Sequence, residues 1–162
     1  MIYNPLGHTG INVSAVVFGG IINRDETQGD ANGNVAEAVA AGINYFDVAP
    51  SYGNSQERLG PALAPYRTNV HLACKTMARD AKGAKAEMEE SLRLLQTDYF
   101  DVYQLHALST DADLDEAFGP GGAMETLVRA KPAGIIRHVG LSAHNEDVAL
   151  RALTLYPFET VL

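Results

Sequence analysis

Short apolar runs alternate with longer segments of helical periodicity along the whole chain, and few folds accommodate that pattern. It is typical of βαβ units, in which helices connect the strands of a parallel sheet. The expected strands are Ser14–Phe18, Ile43–Phe46, Val70–Cys74, Tyr99–Leu105 and Ile136–Leu141, with a further strand beginning in Phe158–Leu162. The expected helices are Asn34–Ala41, Gln56–Ala64, Ala84–Leu95, Met124–Ala130 and Asp147–Leu155. The sequence therefore predicts the α/β class.

A small hairpin is expected ahead of the first strand. Gly7 and Gly10 lie near the centre of Tyr3–Val13, and paired glycines favour a tight turn between two short strands. Gly42 is placed to end the first helix, because glycine readily adopts the left-handed conformation of a helix C-cap. We therefore expect an N-terminal β-hairpin followed by regular strand–helix units.

Two α/β architectures compete, a doubly wound sheet and a (β/α)8 TIM barrel. A dinucleotide-binding doubly wound sheet carries Gly-x-Gly-x-x-Gly in its first strand–helix turn, whereas Phe18–Asn23 reads Phe-Gly-Gly-Ile-Ile-Asn. The glycine-rich Gly119–Gly122 precedes a helix, but it follows an acidic loop and lacks the Lys-Ser or Lys-Thr of a phosphate loop. The TIM-barrel type is therefore the expected fold.

Composition limits the partners of the chain. With 162 residues, 46% of them hydrophobic, a single domain covering 1–162 is expected. Twelve Lys and Arg against twenty Asp and Glu give a net charge of −8, which argues against nucleic-acid binding. The longest nearly apolar run, Val13–Ile22, contains Ser14 and two glycines and is about half of the ~20 residues that span a bilayer. We expect no nucleic-acid or membrane partner.

The single cysteine and the N-terminal sequence favour a reducing compartment, and the spacing of the histidines argues against a metal site. Cys74 is the only cysteine, so the chain cannot form an intramolecular disulfide. The first residues of the chain contain neither the charged segment nor the apolar segment that a secretory signal peptide has. The histidines and Cys74 lack the spacing of known metal sites. A cytoplasmic location without a bound metal is therefore expected.

Four polar residues follow or end successive predicted strands. Asp47 and Lys75 come directly after two of these strands, and His106 after a third; Tyr52 lies in the loop beyond Asp47. In barrels of this type the active site lies at the carboxyl ends of the strands. The four side chains are therefore expected to converge there.

Each of the four also has a purely structural alternative. Asp47 can cap a turn, and Tyr52 can be an ordinary loop tyrosine. Lys75 can extend its ammonium out of the sheet end, and His106 can be a hydrogen-bonded core histidine. An acid, a phenol, an ammonium and an imidazole at one end of the sheet nevertheless favour a functional site.

Such a set is suited to protonating a carbonyl oxygen. A free phenol has a pKa near ~10, and a neighbouring ammonium favours its phenolate form. Asp47 would keep Lys75 charged and fixed, while His106 would either orient the substrate oxygen or share the proton of the phenol. These roles fit the reduction of a carbonyl, with the hydride supplied by a cofactor.

Four segments carry a resemblance to a known family. They are Gly42–Gly53 (GINYFDVAPSYG), Ala73–Thr76 (ACKT), Thr97–His106 (TDYFDVYQLH) and Ala133–Ser142 (AGIIRHVGLS). Taken in order, they resemble the aldo-keto reductase family. The resemblance implies a (β/α)8 barrel that reduces aldehydes and ketones, small-molecule carbonyl substrates, with NADPH.

The resemblance also assigns roles to individual residues. It implies that Tyr52 is the general acid, that Lys75 and Asp47 tune it, and that His106 orients the substrate. It places Ser142 against the nicotinamide carboxamide. The residues expected to bind the cofactor are Gly20, Ile21, Asp47 and Ser142.

Length is the main departure from that family, whose members are about twice as long. We therefore expect an incomplete barrel of about six strands, truncated at its C-terminus and lacking the loops that hold the cofactor phosphates. Its open sheet edges would favour self-association. The alternative function is a non-catalytic fragment or interaction subunit of an aldo-keto reductase-like protein.

Overall fold

The computed structural model describes residues 1–162. The chain begins with the expected hairpin, in which β1 (Tyr3–Pro5) pairs with β2 (Asn12–Ser14) in antiparallel fashion. Gly7 and Gly10 both adopt positive φ in the turn, a conformation that other residues enter only at a cost. The hairpin prediction is confirmed.

The main sheet has six parallel strands whose order in the sheet is their order in the chain. The strands are β3 (Phe18–Gly19), β4 (Tyr45–Asp47), β5 (His71–Thr76), β6 (Phe100–Leu108), β7 (Ile136–Ala143) and β8 (Thr160–Val161). The sheet curls into a half-barrel, with β3 and β8 at its two edges. The predicted fold class, a TIM-barrel type with about six strands, is confirmed.

Six α-helices connect or follow the strands. They are α1 (Gln28–Ala40), α2 (Ser55–Leu63), α3 (Ala81–Leu95), α4 (Asp111–Phe118), α5 (Ala123–Ala130) and α6 (Glu146–Leu155). None of them is both long and apolar enough to cross a membrane. A 3-10 turn at 20–23 follows β3 directly.

The two faces of the sheet bury different residues. The outer face packs against the helices, where Phe46, Leu72 and Tyr103 belong to a core of 29 buried residues. Their neighbours Tyr45, Ala73 and Val102 form a small cluster on the inner face, covered by Leu6 and Val13 of the hairpin. This alternation follows from the two-residue period of a strand, and it also directs Asp47 and Lys75 inward.

The first strand is shorter than expected. Ser14 ends β2 instead of opening the main sheet, because its N–H donates to Asn44 Oδ1 at 2.7 Å and its hydroxyl donates to the carbonyl of Val16 at 2.7 Å. These bonds turn the chain away from the sheet. Val16 and Val17 are therefore exposed, and pairing with β4 begins at Phe18.

Two helical regions also differ from the expectation. α1 begins six residues earlier, where Thr27 Oγ1 accepts the N–H of Asp30 as an N-cap. The acidic segment after β6 forms α4, which has a capping box between Thr110 and Asp113. The capping energy offsets the low apolar content of this segment.

Candidate active site

The strand register brings the predicted site residues to one end of the half-barrel. Asp47 ends β4 and pairs in register with Ala73, two residues before Lys75 on β5. His106 and Ser142 lie near the carboxyl ends of β6 and β7. Tyr52 lies in the loop between β4 and α2. The elements thus place five of the predicted residues around the same opening.

The Lys75 ammonium is the centre of this group. Lys75 is fully buried, and its Nζ forms an ion pair with Asp47 Oδ2. Nζ also lies 3.4 Å from the hydroxyl of Tyr52 and 3.5 Å from the carbonyl of Val48. An ammonium has three N–H donors, so the structure offers one acceptor for each. The ion is held in one position by groups on two neighbouring elements.

Burial governs the charge of Asp47. Removal from water raises the pKa of its carboxyl, and the adjacent Lys75 ammonium opposes that rise. The paired, ionised form is the one that satisfies Lys75, which has no exposed surface. Asp47 therefore holds the Lys75 side chain where it contacts Tyr52.

Tyr52 and His106 approach each other without a direct hydrogen bond. Their rings meet edge to face, with centroids 6.0 Å apart and planes at 81°. Both side chains are half-buried, so each retains a side open to a small molecule. A substrate oxygen that reaches both groups would lie between a phenol and an imidazole.

His106 is neutral at physiological pH. Burial lowers its pKa, and the positive charges of Lys75 and Arg79 lower it further, to about 4. Its Nδ1 lies 2.8 Å from Ser142 Oγ, which also accepts the N–H of Ala107 at 2.9 Å. With the imidazole proton on Nε2, Nδ1 accepts the hydroxyl proton of Ser142 and the Nε2 N–H is left as a donor.

The residues predicted to bind a cofactor differ in what they offer. Gly20 is buried, and a Cβ added there would lie 2.8 Å from the carbonyl oxygen of Asp47. Ile21 is 52% exposed, and Ser142 Oγ keeps one lone pair for a further donor when its hydroxyl donates to His106. Gly19 faces open space and lines, with Asp47, a cavity of about 360 Å³ on the inner face. An apolar side chain, a hydroxyl acceptor and an open glycine fit a flat amide-bearing ring such as nicotinamide.

Two polar residues of the site, Arg79 and Gln104, were not predicted from the sequence. Arg79 lies in the loop after β5, and its Nη2 donates to the carbonyl of His106 at 2.8 Å. Gln104 is buried on the inner face of β6, where its amide donates to Thr160 Oγ1 at 3.3 Å and its Oε1 has no partner. The contacts of Arg79 could not be predicted, because a backbone carbonyl is present at every residue and produces no pattern in the sequence. Gln104 had a signal, since it precedes His106 by two residues on the same strand face.

Comparisons with known proteins agree on one family. A family model described as the aldo/keto reductase family matches residues 16–158. L-galactose dehydrogenase of Arabidopsis thaliana is 32% identical over 171 residues, covering 96% of this chain and 53% of that protein. Aldo-keto reductase YhdN of Bacillus subtilis is 32% identical over 161 residues, covering 88% of this chain and 47% of that protein.

The fold is similar to solved structures as well. The holo form of aldo-keto reductase AKR11C1 from Bacillus halodurans superposes with a TM-score of 0.86 at 28% identity. That match covers 99% of this chain and 56% of the solved chain. The chain spans about half the length of the curated relatives it matches.

Proposed function

Since the chain belongs to the aldo/keto reductase family, an oxidoreductase family, we propose that it carries the catalytic residues for reducing an aldehyde or ketone to an alcohol with NADPH. Similarity to L-galactose dehydrogenase and to aldo-keto reductase YhdN supports an oxidation–reduction reaction. The observation that carries the proposal is the buried Lys75 ammonium, held between the carboxylate of Asp47 and the hydroxyl of Tyr52.

Tyr52 is the general acid in this proposal. As a carbonyl oxygen gains negative charge, it takes the hydroxyl proton of Tyr52 and leaves a phenolate behind. The Lys75 ammonium, 3.4 Å from that oxygen, stabilises the phenolate, because an opposite charge at this range favours the ionised form. Asp47 holds the ammonium in place, so little reorganisation is needed when the proton moves.

His106 orients the substrate. A neutral imidazole with its proton on Nε2 is a hydrogen-bond donor, and its low pKa keeps it from becoming a proton source near pH 7. Of the two roles open from the sequence, the burial and the neighbouring cations of His106 favour donation to the substrate oxygen. Two donors, the Tyr52 hydroxyl and the His106 N–H, would then contact one oxygen.

The cofactor would be held by Gly20, Ile21, Asp47 and Ser142. When bound, NADPH supplies the hydride that the carbonyl carbon accepts. Ser142 Oγ accepts the N–H of Ala107 and lies 2.8 Å from His106 Nδ1. With the imidazole proton on Nε2 the hydroxyl donates to Nδ1, and its remaining lone pair suits the N–H₂ of a carboxamide. The exposed Ile21 offers an apolar surface to the ring.

The Tyr52→Phe variant tests the proposal. At an NADPH concentration high enough to saturate weak binding, we expect the 162-residue chain to oxidise NADPH in the presence of 4-nitrobenzaldehyde. The variant should lose turnover while its binding still changes the fluorescence of NADPH. Tyr66→Phe makes the same change at another half-buried tyrosine that packs on the core, and it should retain turnover. Equal activity in both variants would refute the role of Tyr52. A wild-type chain that binds NADPH without turnover would favour a non-catalytic subunit.

A further inference from the structure

The residue after His106 has an unfavourable backbone conformation. Ala107 has a φ of +52°, in the left-handed region that residues with a Cβ rarely enter. It lies at an irregularity of β6, where the register with β7 shifts between Leu105 and Leu108. A strained residue beside a candidate site persists only when its surroundings hold it. The structure must therefore contain groups that fix this turn.

Arg79 holds the turn from one side. Its Nη2 donates to the carbonyl of His106 at 2.8 Å and to that of Ala107 at 3.3 Å. Its Nη1 donates to the carbonyl of Met77 at 3.1 Å, which ties the same guanidinium to its own loop. From the other side, Ser142 Oγ accepts the N–H of Ala107. The polar groups of the strained residue are thus engaged by β7 and by the loop after β5.

Asp113 fixes the guanidinium in turn. Its Oδ1 accepts from Arg79 Nε at 3.2 Å, and its Oδ2 accepts the N–H groups of Ser109 and Thr110 at 3.0 and 2.9 Å. Only 10% of the Arg79 side chain is exposed. One carboxylate therefore joins the loop after β5 to the start of α4, with the His106–Ala107 turn between them.

We propose that Arg79, held by Asp113, is a positioning residue that sets the direction of the His106 imidazole by stabilising the left-handed turn at Ala107. The proposal deepens the function argued above and rests on it for the role of His106. Capping of α4 requires only Thr110 and Asp113, so the cap alone does not account for the contacts of Arg79 with the two carbonyls.

The charge of Arg79 must be separated from its geometry. His106 is surrounded by Lys75, Arg79 and His144, with Glu87 as the opposing charge. Arg79→Lys keeps the positive charge but lacks the planar fork that reaches two carbonyls and Asp113. Arg79→Met removes both. A positioning role is shown by effects common to the two variants, and an electrostatic role by effects in Arg79→Met alone.

The test uses NMR spectroscopy on the 162-residue chain, without cofactor or substrate. The HN–Hα coupling of Ala107 reports its φ, and long-range proton–nitrogen spectra report the tautomer of His106, identified by the signal lost in His106→Gln. The variants are Arg79→Met, Arg79→Lys and Asp113→Asn. The control is Arg151→Met, which removes ion pairs from α6 to Asp111 and Asp115 of the same helix α4.

We expect the Ala107 coupling and the His106 spectrum to change in all three variants, with Arg79→Met and Arg79→Lys alike at Ala107. The control should match the wild type at both positions. Unchanged signals in Arg79→Lys and Asp113→Asn, or equal changes in Arg151→Met, would overturn the proposal even if Arg79→Met does not fold. A wild-type chain without reductase activity would count against the proposed function, and the spectra would still decide the positioning role.

Discussion

The ammonium of Lys75 and the carboxylate of Asp47 form an ion pair in which Lys75 has no exposed surface and Asp47 keeps 14% of its side chain exposed. Burying one charge alone is far more costly than burying a matched pair. The same ion pair therefore fixes the geometry of the site and contributes to the stability of the half-barrel.

Replacing Asp47 by Asn should leave a buried ammonium without its counter-ion. We expect the free energy of unfolding to fall by about 3–5 kcal/mol, the usual loss when one partner of a buried pair is removed. Urea unfolding followed by circular dichroism measures it. Asp98→Asn makes the same change at an exposed position and should leave the midpoint unchanged. A loss equal to that of the control would contradict a tightly paired Lys75.

His106 should make stability depend on pH between about 4 and 6.5. Its pKa is about 4 in the folded protein and ~6.5 when unfolded, so the unfolded chain binds more protons in this window. Stability is then complete above pH 6.5 and is lost as the pH falls toward 4. Lys75, Arg79 and His144 oppose protonation of His106, and Glu87 favours it.

The measurement compares melting temperatures of the wild type and His106→Gln from pH 4 to pH 8. The carboxylates that lose stability in acid, among them Asp101 and Asp113, are common to both proteins. The difference in melting temperature between the two proteins therefore reports the protonation of His106. This difference should become smaller as the pH falls from about 6.5 to about 4. Parallel curves would mean that His106 titrates normally.

Gly20 should not accept a larger residue. An added Cβ would meet the carbonyl oxygen of Asp47 at 2.8 Å and Val48 Cβ at 3.0 Å, whereas one at Gly19 would meet nothing within 4 Å. Gly20→Ala should therefore cost about 1–3 kcal/mol through overpacking, and Gly19→Ala much less. Denaturant midpoints of the two variants give the comparison. Equal midpoints would show that the turn yields without strain.

The two edge strands should cause the chain to self-associate. β3 and β8 each have one neighbour in the sheet, so each presents unpaired N–H and C=O groups. Val161 on β8 is 52% exposed, and Val161→Lys places a charge on that edge. Light scattering should show a mass above the monomer that rises with concentration and falls in the variant. A monomer at every concentration would exclude edge pairing.

The sequence predicted the elements that bury apolar residues and missed those stabilised by local polar bonds. All six strands of the sheet were found, because each is a short apolar run. α4 was missed, since of its residues only Leu114 and Ala117 are buried, although the Thr110–Asp113 spacing was visible. Two glycines in the first part of α1, Gly29 and Gly33, concealed its true start.

The site was predictable where side chains project from strand ends. Asp47, Lys75 and His106 follow predicted strands, so register alone brought them together. The roles of Arg79 and Asp113 were not predictable, because they depend on a left-handed turn and on backbone carbonyls. No spacing rule connects a loop arginine to a carbonyl 27 residues further along the chain.

The strands lie in the sheet in the order in which they occur in the chain, and this has a consequence for how the protein folds. Each new strand pairs with the strand that precedes it in the chain. Its hydrogen bonds can therefore form before the later parts of the chain are present. A chain leaving the ribosome can therefore fold progressively from its N-terminal side.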